Sequence, residues 1–107
     1  MAATPLVVLT TVGSVEDART LVRTLVRERV IACGTILPVG TSIYRWNNEL
    51  KEEPEVMVVM KTEAERWDAL QAAVRARHPY VVPELLALPV DRGLDKYLSW
   101  LEREVMV

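Results

Sequence analysis

The sequence predicts one α+β domain in which an antiparallel sheet carries two helices on one face. Two stretches with helical apolar spacing alternate with runs of strand-like apolar residues, and a pair of asparagines at positions 47 and 48 separates two of those runs as a hairpin turn would. The chain has 107 residues, of which 50% are hydrophobic, enough for one compact core. We therefore expect a single domain over residues 1–107.

Composition excludes several classes of protein. Thirteen Lys and Arg against fifteen Asp and Glu give a net charge of −2, and neither sign forms a long run, so no nucleic-acid partner is expected. The apolar run at residues 6–9 is too short for a membrane span or the core of a signal peptide. A single cysteine forms no internal disulfide. These features predict a cytoplasmic protein without a membrane partner.

The first strand and the first helix are predicted by residues 6–30. The run PLVVLTTV indicates a buried strand near residues 6–11, and Ser14 with Asp17 resembles a capping box at the start of a helix. The helix has apolar residues at i, i+3, i+4 and i+7 spacing and charges on its other side. The apolar positions are Ala18, Leu21, Val22, Leu25, Val26 and Val30.

A long hairpin follows. Residues 30–46 are predicted as one bent strand with a kink at residues 38–40, and Asn47 and Asn48 favour a tight turn because Asn tolerates positive φ. The returning strand is charged at first, with Pro54 as a bulge or edge position, and is apolar on both faces over residues 56–60. The hairpin therefore has a buried root and a projecting end.

The last part of the chain predicts a helix, a strand and a further helix. Thr62 with Glu65 resembles a second capping box, and Pro79 should stop the helix at about Arg77. Residues 84–90 are predicted as a strand buried on both faces, and a short C-terminal helix brings Tyr97 and Trp100 one turn apart.

The resulting order, βαββαβ plus a helix, is the ferredoxin-like split arrangement. One face of its sheet lacks a full cover of helices, although the strands are apolar on both faces. Self-association is the expected way to bury that face.

Few residues suggest chemistry. Cys33 lies in an apolar strand and is interpreted as a small buried hydrophobe, with activation by His78 as the alternative. Met57 and Met60 should face opposite sides of a strand, which favours packing over joint binding of one copper ion. Motifs for a catalytic triad, HExxH, CxxC, a P-loop and GxGxxG are absent from the sequence, so an enzyme is the weaker hypothesis.

The stretch RHPYVVPELLALPV, residues 77–90, contains the only histidine of the chain. His78 has two readings, a helix C-cap donor or a group that binds metal or transfers a proton. Glu84 lies six residues further on, at the other end of a corner that Pro79 and Pro83 brace.

Five segments in order resemble the CutA divalent-cation tolerance family, from about residue 6 to residue 102. They are IACGTI (31–36), SIYRW (42–46), MKT (60–62), HPYVVPE (78–84) and YLSWL (97–101). The resemblance implies a ferredoxin-like subunit in a tight homotrimer, in which strands of neighbouring subunits complete shared sheets. That architecture is similar to the PII signalling proteins.

The resemblance also implies a role in tolerance to divalent metals, copper above all. The copper-binding pattern of some bacterial members uses a cysteine at the end of the first strand and two histidines before the PY pair. Thr10 and Arg77 stand at two of these positions, and only His78 matches.

The function expected from the sequence is that of a trimeric CutA-type protein in the response to metal ions, without a required cofactor. The predicted metal ligands are His78 and Glu84, which would bind copper or another divalent cation weakly. The alternative is a PII-like signalling module that binds a small molecule in the cleft between subunits. That cleft would contain His78, Glu84 and four further residues, namely Tyr44, Trp46, Lys61 and Tyr80.

Overall fold

The computed structural model describes residues 3–106, so residues 1, 2 and 107 of the predicted domain lie outside the described range. Its elements follow the order that the sequence predicts, with one predicted strand divided in two. In chain order they are β1 (Pro5–Val12), α1 (Val15–Arg27), β2 (Cys33–Ile36), β3 (Gly40–Trp46), β4 (Glu49–Glu63), α2 (Trp67–Arg77), β5 (Leu86–Pro89) and α3 (Asp95–Val105).

The sheet is antiparallel, with the strand order β2-β4-β1-β5, and β3 continues along β4 beyond β2. This is the ferredoxin-like arrangement predicted from the sequence. The single bent strand expected at residues 30–46 is divided into β2 and β3, and residues 37–39 between them contain the predicted kink. Leu37 still donates its backbone N–H to Met57 at 3.0 Å, so the two pieces follow one side of β4.

Helices α1 and α2 cover one face of the sheet. Ser14 accepts a hydrogen bond from the backbone N–H of Asp17 at 3.1 Å, so the predicted N-cap of α1 is confirmed. Alternate residues of β4 and β1 point to these helices. The largest side chains of the resulting core are fully buried, and they include Val8, Val12, Leu25, Val56, Val58, Met60 and Leu70.

The hairpin of β3 and β4 projects from this core. Asn47 and Asn48 have φ of 50° and 65°, the positive values that the predicted turn requires. Pro54 stands opposite Thr41 in an unbroken register, at a part of β4 that has no neighbour on its β1 side. The hairpin makes the molecule 46 Å long but only 25 and 23 Å across.

The predicted capping box of α2 is wrong. Thr62 is still part of β4, where its buried hydroxyl donates to the carbonyl of Val30 at 2.7 Å. A short 3₁₀ turn, Ala64–Arg66, follows the strand and leads into α2 without a side-chain cap. The strand continues because its long-range hydrogen bonds to β1 and to Val30 outweigh a local capping signal.

The other face of the sheet is only partly covered. Leu101 and Val105 of α3 pack on Ala32 in a small second cluster, and Met57 and Val59 of β4 are half-exposed. The prediction that residues 84–90 form a buried strand is wrong for the single chain, because β5 is an edge strand whose four residues are exposed, Leu86 by 56%. Apolar surface on this face therefore remains open to a partner.

Candidate functional site

His78 lies at the end of α2, one residue before the proline that stops the helix. Its backbone N–H donates to Val74 at 2.7 Å, which closes the last turn. The imidazole does not reach the helix carbonyls, as a capping side chain would; it crosses to β1, where Nε2 lies 2.8 Å from the carbonyl oxygen of Thr11. The C-cap reading of the side chain is therefore corrected to a contact between α2 and the sheet.

Both ring nitrogens of His78 are engaged. Nδ1 accepts the backbone N–H of Tyr80 at 3.0 Å, so the proton must reside on Nε2, which donates to Thr11. Burial lowers the pKa of His78, and the Thr11 carbonyl together with the carboxylates of Glu55 and Asp17 opposes that shift. The structure thus selects one neutral tautomer of the ring.

Tyr80 joins this corner to the hairpin. Its ring lies 4.9 Å from the His78 ring, centroid to centroid, and its hydroxyl donates to Oε2 of Glu55 at 2.8 Å. Burial, and then Glu55, raise the pKa of Tyr80, which keeps the phenol protonated as a donor at neutral pH. We call residues 78–84 the His78 corner; Glu55 anchors it to the root of the hairpin.

Glu84 contributes its backbone to this corner. Its carbonyl oxygen accepts the hydroxyl of Thr10 at 2.6 Å, whereas the residue itself is exposed. Thr10 is fully buried, so its hydroxyl supports the corner from inside the fold. Arg77, the last residue of α2, forms an ion pair with Glu28, which follows the end of α1.

Tyr44 is the residue of the predicted cleft that the hairpin brings near this corner. It shares a face of the hairpin with Glu53 and Glu55, and those carboxylates add to the effect of burial in raising the pKa of Tyr44. Trp46, by contrast, pairs with Glu49 at the far end of the hairpin.

Lys61 lies toward the other end of the sheet, paired with Cys33. Along the extended β4 from Glu49 to Lys61 the distance is about 40 Å, at about 3.3 Å per residue. One chain therefore does not bring Trp46 and Lys61 into one cleft. Their joint site remains a prediction that requires a second subunit.

The sequence reasoning missed the carboxylates beside the corner, Glu53 and Glu55 on β4 and Asp17 on α1. Period-two alternation puts Glu53 and Glu55 on the same face as Tyr44 once the Asn47-Asn48 turn fixes the register, so a signal for these two was present. For Asp17 there was no such signal, because only the packing of α1 brings it near His78.

A preformed metal cage is not present in the described part of the chain. Within residues 3–106 no three His, Cys, Asp or Glu side chains are grouped so that they could hold a metal ion. Cys33 is half-buried and its Sγ lies 3.7 Å from the hydroxyl of Tyr97 on α3. Met57 and Met60 point to opposite faces of β4, as predicted, with Met60 in the core. A metal ion at His78 and Glu84 remains a prediction.

Comparison with known proteins decides the family. The family model of the CutA1 divalent ion tolerance protein matches residues 6–104. The chain belongs to the CutA divalent-cation tolerance family. A CutA protein of Thermus thermophilus is 48% identical over 95 residues, which are 89% of this chain and 92% of that relative. CutA of Escherichia coli O45:K1 is 41% identical over 98 residues, 92% of this chain and 88% of the relative.

The chain has the same fold as a solved CutA structure. The solved structure of the divalent cation tolerance protein CutA1 from Thermus thermophilus superposes with a TM-score of 0.92 at 45% identity, covering 95% of this chain and 99% of that one. The family is named for tolerance to divalent ions. Among the residues that the structure describes, no helix is long and apolar enough to cross a membrane.

Proposed function

We propose that this CutA family member acts in the cytoplasm as a homotrimer in the cellular response to divalent metal ions, and that it binds copper or a similar divalent ion weakly at the His78 corner. The observation that carries the metal part is the charge gathered there. The Glu55 carboxylate accepts the Tyr80 hydroxyl, and Glu55 and Asp17 both raise the pKa of His78 against the effect of burial. A divalent cation favours such a surrounding of carboxylate oxygens and an imidazole.

Weak binding follows from the hydrogen bonds that a metal ion must replace. The lone pair of His78 Nδ1 already accepts the N–H of Tyr80, and the metal competes for it. One carboxylate, Glu55 or the predicted Glu84, would supply an oxygen ligand, and a neighbouring subunit or water would supply the rest, because no three such side chains within residues 3–106 are grouped as ligands. We expect micromolar or weaker affinity for Cu²⁺ at pH 7.

Calorimetric titration with Cu²⁺ tests this part. His78→Ala and Glu55→Gln should each weaken binding by about tenfold or more, since the first removes the imidazole ligand and the second removes a carboxylate charge beside it. Glu52→Gln is the matched control, because Glu52 lies on the opposite face of β4 and should change nothing. Equal Cu²⁺ uptake by wild type, His78→Ala and Glu55→Gln would overturn the metal site and leave His78 as a structural link.

The trimer is supported by apolar surface that the single chain leaves open. Trp46 is 52% exposed and Leu50 is 70% exposed on the projecting hairpin, and Leu86 and Leu88 are exposed on the edge strand β5. Apolar surface of this kind marks an interface. Sedimentation equilibrium should give three times the 12.1 kDa chain mass. A stable monomer at micromolar concentration would contradict the proposal.

A second candidate is a PII-like signalling module. It is favoured by Tyr44 and Tyr80, two aromatic side chains with hydroxyls that face the same pair of carboxylates at one corner. A small molecule with hydrogen-bond donors would suit this surface, and a neighbouring subunit would have to add Trp46 or Lys61. Thermal shift with a metal series and a metabolite panel separates the two candidates, because a ligand that binds only the native protein raises its melting temperature.

A further inference from the structure

Glu63, at the end of β4, is a buried acid far from the His78 corner. It stands opposite Pro5 of β1, and the next residue, Ala64, donates its N–H to Thr4 at 2.8 Å, so the backbone on both sides is fixed. The residue is only 4% exposed, and within residues 3–106 its Oε2 has no hydrogen-bond partner. Burying a carboxylate oxygen without a hydrogen-bond donor costs free energy. A bound group that supplies this donor would remove that cost.

Two adjoining cavities flank this side chain. One, of about 190 Å³, lies between Glu63, the 3₁₀ turn and the C-terminal end of α3. The other, of about 290 Å³, lies between Glu63, Pro5 and the first turns of α3. Glu63, Glu102 and Ala3 line both, and we call the combined space the Glu63 cleft. It has room for several groups of the size of a water molecule, which takes about 30 Å³ of liquid.

The charge in the Glu63 cleft is mainly negative. Glu102 and Asp95 face it from α3 and Glu65 faces it from the 3₁₀ turn, whereas β1 contributes no charged residue. The one cation of the described lining is Arg66, whose Nε already donates to the carbonyl of Arg29 at 3.1 Å. Burial, followed by Glu102 and Glu65, raises the pKa of Glu63. A cationic donor is the partner that this arrangement lacks.

The walls of the cleft select the kind of cation. A bare metal ion is disfavoured, because no three of the carboxylates within residues 3–106 are grouped as ligands. Ala64, Val105 and Met106 give the smaller cavity an apolar wall next to the acid, which suits an alkyl stem that carries its charge at one end. An ammonium group on such a stem brings three N–H donors and one positive charge.

We propose that the Glu63 cleft binds a primary alkylammonium group, with the ammonium on the buried carboxylate of Glu63 and the alkyl stem along Val105 and Met106. The group has two sources, a free small amine or a lysine side chain of another protein chain. This site is separate from the His78 corner and does not depend on the function proposed there.

The test is an NMR titration of the full chain in its native assembly with n-butylammonium and 1,4-diaminobutane at pH 7, with n-butanol as the uncharged probe. The amines should shift the amide signals of residues 63–66 and 102–106, and n-butanol should not. Glu63→Gln keeps the shape of the side chain and should weaken amine binding by about tenfold or more, as loss of a charge-assisted hydrogen bond does.

Glu104→Gln is the matched control, because it removes an acid of α3 that does not line either cavity; its amine affinity should equal that of the wild type. Nα-acetyl-lysine methylamide distinguishes the sources, since binding tighter than that of the free amines assigns the site to a lysine of another chain. Amine and lysine affinities that are the same in wild type and Glu63→Gln would overturn the proposal, as would equal binding of n-butanol.

Discussion

The hydroxyl of Tyr80 donates a 2.8 Å hydrogen bond to the carboxylate of Glu55, and this bond joins the loop after α2 to the root of the projecting hairpin. It links two parts of the fold that are distant in sequence. The ring of His78 forms a second link, because its Nε2 donates a hydrogen bond to the carbonyl oxygen of Thr11 on β1. The His78 corner is therefore attached both to the hairpin and to the sheet. Charged acceptors make such bonds stronger than neutral ones.

Tyr80→Phe should loosen the His78 corner. The variant removes the donor to the Glu55 carboxylate at an exposed site where water can hydrate it, so we expect a loss of about 0.5 to 1 kcal/mol of stability. Hydrogen exchange should become faster in residues 78–84 and unchanged in the core strand β1. Tyr97→Phe is the control, since it removes the same atom from α3. Unchanged exchange in the corner of Tyr80→Phe would show that packing alone holds it.

Stability should fall on acidification because of His78. Burial lowers its pKa in the folded protein below the ordinary value of 6.5, so the unfolded chain binds the proton first as pH falls. Stability is therefore complete above about pH 6.5 and decreases below it, until the folded ring is also protonated. Protonation of Nδ1 also removes the acceptor of the Tyr80 N–H.

Urea midpoints of wild type and His78→Gln, measured from pH 7.5 to 5 at one protein concentration, check this dependence. The wild type should lose stability more steeply than the variant between about pH 6.5 and 5. Parallel curves for the two proteins would exclude His78 as the source of the acid sensitivity.

Trp46→Ala should weaken the assembly. In the proposed trimer the hairpin lies across a neighbour, and a buried aromatic anchor contributes about 2 kcal/mol or more to an interface. The melting temperature should fall and should depend more strongly on protein concentration. Val26→Ala, which removes an exposed apolar side chain from α1, is the control. An unchanged melting temperature for Trp46→Ala would show that Trp46 faces solvent and is not part of the interface between subunits.

Ser14→Ala should destabilise the first helix. Its hydroxyl accepts the N–H of Asp17 at the start of α1, and loss of such a cap costs about 1 kcal/mol. The urea midpoint reports the loss, and Ser14→Asp should restore it because Asp caps helices equally well. A midpoint that does not move in Ser14→Ala would mean that water replaces the cap without cost.

Local patterns determined most of the fold. Period-two and helical spacing predicted β1, α1 and α2. In a strand successive side chains point to opposite faces, and in a helix residues three and four apart share a face, so the spacing of apolar residues shows the type of element. The Asn47-Asn48 turn and the end of α2 at Arg77 were predicted equally well, since positive φ and the proline stop are properties of two or three consecutive residues.

The tertiary structure decided what local signals could not. Thr62 stayed in β4 because the Val30 carbonyl, 32 residues away, accepts its hydroxyl. The ring of His78 was fixed by Thr11, 67 residues away, and by the neighbouring N–H of Tyr80. Glu63 shares its cleft with residues of α3, which begins only at Asp95. Periodicity shows which face of an element is buried but not which atoms of another element it meets, so the sequence predicted that His78 follows the end of α2 but not which atoms hold its ring.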